Sequence, residues 1–86
     1  MKITGALIKE QNVTFAIVLV KPHAMNSNST ASETIKSFEP IFPDVPIVLA
    51  SQDSRGQFHY RGRHDLVKFL ASIHASQIPW REYTFS

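Results

Sequence analysis

The stretch that decides the fold is residues 13–20, which read VTFAIVLV. Everything after Thr14 in this stretch is apolar, and β-branched and aromatic side chains dominate it. Such a composition is typical of a β-strand. Because alternate side chains of a strand point to opposite faces, a strand that is apolar at almost every position has both faces buried. The stretch therefore predicts the central strand of a sheet that is covered on both sides.

The residues before this strand predict its first neighbour. Residues 2–9, KITGALIK, also have the composition of a strand. Glu10, Gln11 and Asn12 separate the two segments, and Asn12 tolerates the left-handed conformation that tight hairpins need. We therefore expect an antiparallel hairpin.

A helix is predicted after the central strand and the polar loop that follows it. Thr30 and Glu33 have the spacing of a capping box, with Ser29 as a competing cap. The helix is expected from about residue 31 to residue 38, and Pro40 stops it. Residues 47–51, IVLAS, then predict a third strand. Residues 21–45 are more than long enough for a parallel connection, so we expect a right-handed β-α-β unit.

The C-terminal half predicts a second hairpin and a second helix. Gly56 is expected to form the turn between the third strand and a short return strand at residues 57–61. A helix is predicted to begin at residues 63–65 and to continue to Ile73, with apolar residues spaced at i, i+3, i+4 and i+7. Residues 80–85 predict a last edge strand. The whole chain, residues 1–86, is thus expected to be one small α/β (α+β) domain with the order β-β-α-β-β-α-β and a mixed sheet of four or five strands.

Part of this pattern resembles a known family. The run from Pro46 through the Gly56 turn and Gly62 to Leu66-x-x-Phe69-Leu70 is similar to the C-terminal β-β-α of thioredoxin-like domains, over about thirty residues. The resemblance implies a similar packing of hairpin and helix. In that family a Cys-x-x-Cys motif carries the redox activity, and its position would fall near residues 23–27, where this chain has no cysteine. The resemblance therefore implies no redox function.

Composition excludes several classes of function. The chain has no cysteine, which excludes disulfides, thiolate nucleophiles and cysteine-ligated metals and fits a reducing cytoplasm. Its longest apolar run, residues 15–20, is far shorter than the ~20 residues that span a bilayer. The four histidines show none of the spacings of known metal motifs. We therefore predict a cytoplasmic protein with no metal, no cofactor and no membrane contact.

The net charge of +2 is concentrated in one segment. Residues 51–68 contain four Arg and Lys residues and two Asp residues, so this segment alone carries +2. A candidate anion or nucleic-acid site follows from it: Arg55, Arg61, Arg63, His64 and Lys68. The aromatic pattern of RNA-binding sheets is broken here at Gln57 and Phe58, which predicts at most weak, salt-sensitive binding. The alternative interpretation is that Phe58 and Tyr60 pack under a helix while the polar residues face water.

A second candidate site follows from the predicted β-α-β unit. The carboxyl ends of two parallel strands share one edge of the sheet, where open α/β sheets place ligands. The polar residues expected to meet there are His23, Ser27, Asn28, Gln52 and Asp53. An enzyme would use His23 as a base oriented by Asp53, with Arg55 nearby. The alternative is that these loops form two ordinary polar surfaces.

The apolar surplus of the first two strands leaves two arrangements open. If one helix packs on each face of the sheet, the chain forms a three-layer monomer. If both helices pack on one face, the other face is an exposed apolar surface and predicts a homodimer. We favour a non-catalytic interaction module that binds a protein partner or a second copy. Nucleic-acid or anion binding is the first alternative, and the His23/Asp53/Arg55 enzyme is the second.

Overall fold

The predicted central strand lies in the middle of a five-stranded mixed sheet. The computed structural model describes residues 2–10 and 12–84. The strands are β1 (Lys2–Glu10), β2 (Val13–Leu19), β3 (Ile47–Gln52), β4 (Phe58–Arg61) and β5 (Arg81–Thr84). The helices are α1 (Asn28–Phe38) and α2 (His64–Ala71). The strands lie side by side in the order β4-β3-β2-β1-β5, so the predicted β-β-α-β-β-α-β fold is confirmed.

Four strand pairings build the sheet, three antiparallel and one parallel. β1 and β2 form the predicted antiparallel hairpin, in which Glu10 pairs with Val13. Asn12 has a φ of 65°, which is the left-handed conformation expected of it. Gln11, the other predicted turn residue, lies outside the described residues. β2 and β3 are parallel and are joined through α1, whereas β3 pairs with β4 and β1 pairs with β5 in antiparallel fashion.

The two helices cover opposite faces of the sheet. On one face, Phe15 and Ile17 of β2 belong to the same buried cluster as Leu66 and Leu70 of α2. On the other face, the alternate β2 residues Ala16 and Val18 belong to a second buried cluster that includes Ala31 of α1. All four β2 side chains are fully buried. The α1 connection between β2 and β3 and the α2 connection between β4 and β5 therefore each cover one face of the sheet.

This arrangement is the three-layer alternative of the sequence analysis. The predicted homodimer depended on both helices packing on one face, and that condition is not met. Among the described residues, Leu7 is the only large hydrophobic side chain that is strongly exposed, at 48%. An extended uncovered sheet face is therefore absent from the described part of the chain.

The N-terminus of α1 differs from the prediction. The helix begins at Asn28, three residues earlier than expected, and its cap is Ser27. Ser27 Oγ accepts a hydrogen bond from Thr30 N at 3.2 Å and donates one to Thr30 Oγ1 at 2.9 Å. The predicted caps Thr30 and Ser29 are therefore wrong, because both already lie within the first helical turn. The end of α1 at Phe38, ahead of Pro40, is as predicted.

The segment between α1 and β3 completes the layer on the α1 face. Phe42 is buried, and its ring meets the ring of Tyr83 on β5 edge-to-face at a centroid distance of 5.3 Å. This contact extends the cover from β3 to the far edge of the sheet. Asp44 has a φ of 64°, which lets the chain turn between Pro43 and Pro46 back into β3.

The C-terminal half follows the predicted hairpin and helix closely. The segment that resembles thioredoxin-like domains forms β3, β4 and α2. Gly56 has a φ of 83° at the tip of the hairpin. α2 ends at Ala71, two residues before the predicted end at Ile73, and a short 3-10 turn (Ala75–Gln77) leads towards β5. Residue 85, the end of the predicted last strand, lies outside the described residues.

Candidate functional site

Two of the predicted crevice residues build the β3–β4 hairpin. Asp53 Oδ1 accepts hydrogen bonds from the backbone N–H groups of Arg55 and Gln57, both at 2.9 Å. Gln52 Nε2 donates to the carbonyl oxygen of Gly56 at 3.0 Å. An Asp side chain that bonds backbone groups a few residues further on is a common way to close a turn. Asp53 and Gln52 therefore have a structural role in the hairpin.

The histidine partner of Asp53 is His59 and not His23. His59 Nε2 lies 2.9 Å from Asp53 Oδ2, and both side chains are substantially exposed. The hydrogen bond from His59 is the main cause that lowers the pKa of Asp53, and the backbone N–H of Gln57 adds to it. The two side chains share one face of the hairpin because His59 lies opposite Ser51, two residues before Asp53.

The other crevice residues belong to the start of α1. His23 is exposed in a short 3-10 turn (Pro22–Met25), Ser27 is the helix cap, and Asn28 is the first helical residue. Asn28 Oδ1 accepts a hydrogen bond from a guanidinium N–H of Arg61. The contact that joins the two predicted sites is therefore Asn28–Arg61, and His23 has no hydrogen bond to Asp53.

Arg63 and Asp65 of the predicted basic site neutralise each other. Arg63 Nε lies 2.8 Å from Asp65 Oδ1, and a second guanidinium nitrogen lies 2.9 Å from Oδ2. The two parallel hydrogen bonds raise the pKa of Arg63 and lower the pKa of Asp65. Arg63 is therefore already occupied by a carboxylate.

The remaining basic residues do not share one surface. Arg61 pairs with Leu49 across β3 and β4 and thus lies on the face that α1 covers. His64 and Lys68 are exposed on α2, which packs on the opposite face. Arg55 lies at the tip of the hairpin. The charge that is continuous in the sequence is distributed in space over both faces of the sheet and the hairpin tip.

The described residues contain no group of three or more His, Asp or Glu residues placed to hold a metal ion. Within the same residues, no helix is long and apolar enough to cross a membrane.

A stack of aromatic rings lies on the α2 face near the β4 edge. The ring of Phe58 is nearly parallel to that of Tyr60, at a centroid distance of 6.4 Å and an interplanar angle of 15°. It is also nearly parallel to that of Trp80, at 5.9 Å and 20°. All three rings pack against the buried cluster under α2 but remain partly exposed. Partial burial raises the pKa of the Tyr60 hydroxyl.

Two adjoining depressions border this stack. One has a volume of about 410 Å³ and is lined by β4 and the end of α2, including Phe58, Tyr60 and Ile73. The other has a volume of about 360 Å³ and is lined mainly by apolar groups of Phe58, Ala75 and Trp80. Phe58, Gly56, His74 and Ala75 line both depressions. We call this combined depression the aromatic groove.

The position of Trp80 in the aromatic groove is fixed by a hydrogen bond. Its indole N–H donates to the carbonyl oxygen of Ala75 at 3.2 Å. The backbone N–H of His74 donates to Gln77 Oε1 at 2.9 Å, which holds the connecting turn. Trp80 was predicted only as the first residue of a strand. Its distance in sequence from Phe58 gave no signal that the two rings stack, although tryptophan is a residue type enriched at binding surfaces.

The chain matches no family model, no curated protein and no solved structure in the three comparisons made with known proteins.

Proposed function

We propose that the protein is a non-catalytic binding module that holds a short, extended segment of a partner protein in the aromatic groove. The observation that carries the proposal is the partly exposed stack of Phe58, Tyr60 and Trp80 at the edge strand β4. Tryptophan and tyrosine dominate the energetics of protein interfaces because they bury a large area at a small cost in conformational entropy. The cysteine-free composition is consistent with a cytoplasmic setting for this module.

The open edge of β4 supports an extended partner. β4 is the first strand in the order of the sheet, so among the described residues no strand pairs with its outer side. Unpaired N–H and C=O groups on such an edge accept a further strand through main-chain hydrogen bonds, and adjacent pockets select its side chains. The aromatic groove lies on the α2 face next to this edge and would receive one apolar side chain of the added strand.

The charges near β4 favour an acidic partner. Arg55 lies at the hairpin tip before β4, and Arg61 is its last residue. Arg61 lies on the α1 face, opposite the aromatic groove, so the two arginines flank the β4 edge along which the partner strand would lie. Opposite charge at the rim of an interface accelerates association and selects among partners. We therefore propose a partner segment that combines an aromatic or large aliphatic residue with flanking Asp or Glu.

Trp80 provides a direct test, since it is the only tryptophan of the chain. The 86-residue protein is panned against a display library of random peptides without tryptophan, and each selected peptide is titrated while Trp80 fluorescence is followed. We expect enrichment of acidic peptides with one large apolar residue and a blue shift of Trp80 emission on binding, because the peptide excludes water from the indole.

A matched pair of exposed histidines supplies the control. His74 lines the aromatic groove, whereas His23 lies in the 3-10 turn after β2. We expect His74→Glu to weaken binding of the selected acidic peptides about tenfold through like-charge repulsion, and His23→Glu to leave it unchanged. Equal binding by the two variants, or failure to select any peptide, would refute the proposal. A fluorescence response to a single-stranded oligonucleotide, with no peptide selected, would establish the nucleic-acid alternative in its place.

A further inference from the structure

The exposed side chain of Leu7 lies on the opposite face of the sheet from the aromatic groove. Leu7 pairs with Ala16, which belongs to the buried cluster under α1, so Leu7 is on the α1 face. It is 48% exposed, more than any other large hydrophobic side chain among the described residues. Lys9, two residues further along β1, points to the same face, as does Arg81 of β5, which pairs with Gly5. Leu7 is thus an apolar projection flanked by two positive charges.

A broad depression is on this same face. It has a volume of about 940 Å³ and lies between the end of α1 and the segment that leads into β3. Its apolar lining consists of Ile35, Phe42, Val45, Pro46 and Ile47, with the proline-rich segment as one wall. Glu39 and Asp44 are exposed at its rim, together with Lys36, so the rim carries a net negative charge. We call this depression the α1 cleft.

The projection and the cleft are close neighbours on the sheet. Leu7 pairs with Ala16, and Ala16 pairs with Ile47 at the floor of the α1 cleft. Because neighbouring strands are ~4.8 Å apart, Leu7 and Ile47 are separated by about 10 Å across the sheet. A two-fold axis between them would place Leu7 of each copy against the α1 cleft of the other. Such a self-complementary patch is what a symmetric dimer requires.

We propose that this face is a self-association surface, in which Leu7 of one copy occupies the α1 cleft of a second copy. The charges support it, since Lys9 pairs with Thr14 at the end of the sheet where β3 begins and would meet the Glu39 and Asp44 rim of the partner copy. The dimer differs from the one considered in the sequence analysis, because it uses a knob and a cleft and not an uncovered sheet face. It leaves the aromatic groove of each copy open on the outer side, and it does not depend on the proposed peptide binding.

Sedimentation equilibrium of the full chain tests the proposal. We expect a mass that approaches twice 9.7 kDa with increasing concentration. Leu7→Glu should weaken association by at least about a hundredfold, since each dimer loses two buried leucines. Because Leu7 is exposed in the single chain, the variant should keep the circular dichroism spectrum of the parent. Gln57→Glu, an equivalent change at an exposed position of the β3–β4 hairpin, is the matched control and should associate normally.

A charge exchange tests which surface Leu7 meets. Lys9→Glu and Glu39→Lys should each weaken the dimer by roughly tenfold, and the double variant should regain most of the lost affinity because the pair is restored with reversed sign. A monomer at every concentration, or a dimer that Leu7→Glu leaves intact, would overturn the proposal. Dimerisation that depends on Leu7 without rescue in the double variant would overturn the assignment of the α1 cleft as its binding site.

Discussion

At the scale of single residues, Gly5 is fixed by the closeness of two strands. A Cβ atom at this position would lie 2.4 Å from the carbonyl oxygen of Ile17, on the backbone of the neighbouring strand. The contact cannot be relieved by turning a side chain, so β1 and β2 would have to move apart at the centre of the sheet. The sequence places Gly5 within a predicted strand, but an inter-strand approach of this kind has no sequence signature.

We therefore expect Gly5→Ala to destabilise the protein by about 1–3 kcal/mol, the usual range for overpacking. The corresponding fall in melting temperature, measured by circular dichroism, is at least about 4 °C for a domain of this size. Gly56→Ala serves as a comparison, since its Cβ would meet only Gln52 Nε2 at 3.5 Å and the cost comes from its positive φ. A Gly5→Ala protein that melts with the parent would contradict the close contact.

Asp53 shows what limits prediction of a site from single residues. Its sequence position at the end of a strand was correctly predicted, and so was the turn that it begins. Its partners were not, because a local hydrogen-bonded turn and a long-range crevice use the same residue types at strand ends. The local bonds to Arg55 and Gln57 need no loop closure over a long stretch of chain, which favours them over a contact with His23.

At the scale of elements, the residue at which α1 begins depends on which side chain caps the helix. Ser27 accepts the backbone N–H of Thr30, whereas the Thr30–Glu33 spacing predicted a cap three residues later. We expect Ser27→Ala to cost about 1 kcal/mol in free energy of unfolding, the usual value for an N-cap. Ser29→Ala, in the first helical turn, should change it by only a few tenths.

Urea denaturation of the two variants distinguishes the assignments. A larger loss in free energy of unfolding for Ser29→Ala than for Ser27→Ala would contradict Ser27 as the cap. Ser27→Asp provides a further check, because an Asp cap also accepts the N–H and should restore the stability that Ser27→Ala loses.

The elements themselves were largely predictable, and their ends were not. Runs of apolar, β-branched and aromatic residues between turn residues indicated all five strands, and Phe15 and Ile17 of the central strand are fully buried. The end of α1 was also correct because Pro40 imposes it. The start was missed by three residues, because Ser27, Ser29 and Thr30 are all good caps and only the packing of the helix selects one of them.

At the scale of the whole molecule, the sequence left open how many sheet faces are covered. A sheet with helices on one face and a sheet with a helix on each face are both compatible with the same hydrophobic pattern. Which one forms depends on the face along which each connecting helix passes. The α1 connection and the Phe42–Tyr83 contact cover one face, whereas α2 covers the other. For the same reason the aromatic groove could not be foreseen, since Trp80 reaches Phe58 only after the chain has passed α2.

The stability of the whole molecule should depend on pH through the carboxyl groups of Asp53 and Asp65. The pKa of Asp53 is lowered by His59 and the pKa of Asp65 by Arg63, so both carboxyls bind protons more weakly in the folded protein than in the unfolded chain. The stability that these two carboxylates contribute is then fully present above the unfolded pKa, near 3.8. It decreases as the pH falls through that value towards the lower pKa values of the folded protein.

Asp53→Asn isolates the contribution of one pair. An Asn side chain keeps an oxygen acceptor for the backbone N–H groups of Arg55 and Gln57 but does not titrate in this range. We expect the difference in urea midpoint between pH 7 and pH 3 to be smaller for Asp53→Asn than for the parent, with the hairpin retained. Gln57→Glu, which leaves the Asp53–His59 pair in place, should not reduce the difference. An unchanged difference in Asp53→Asn would mean that the exposed Asp53–His59 pair is too strongly screened by solvent to couple folding to protonation.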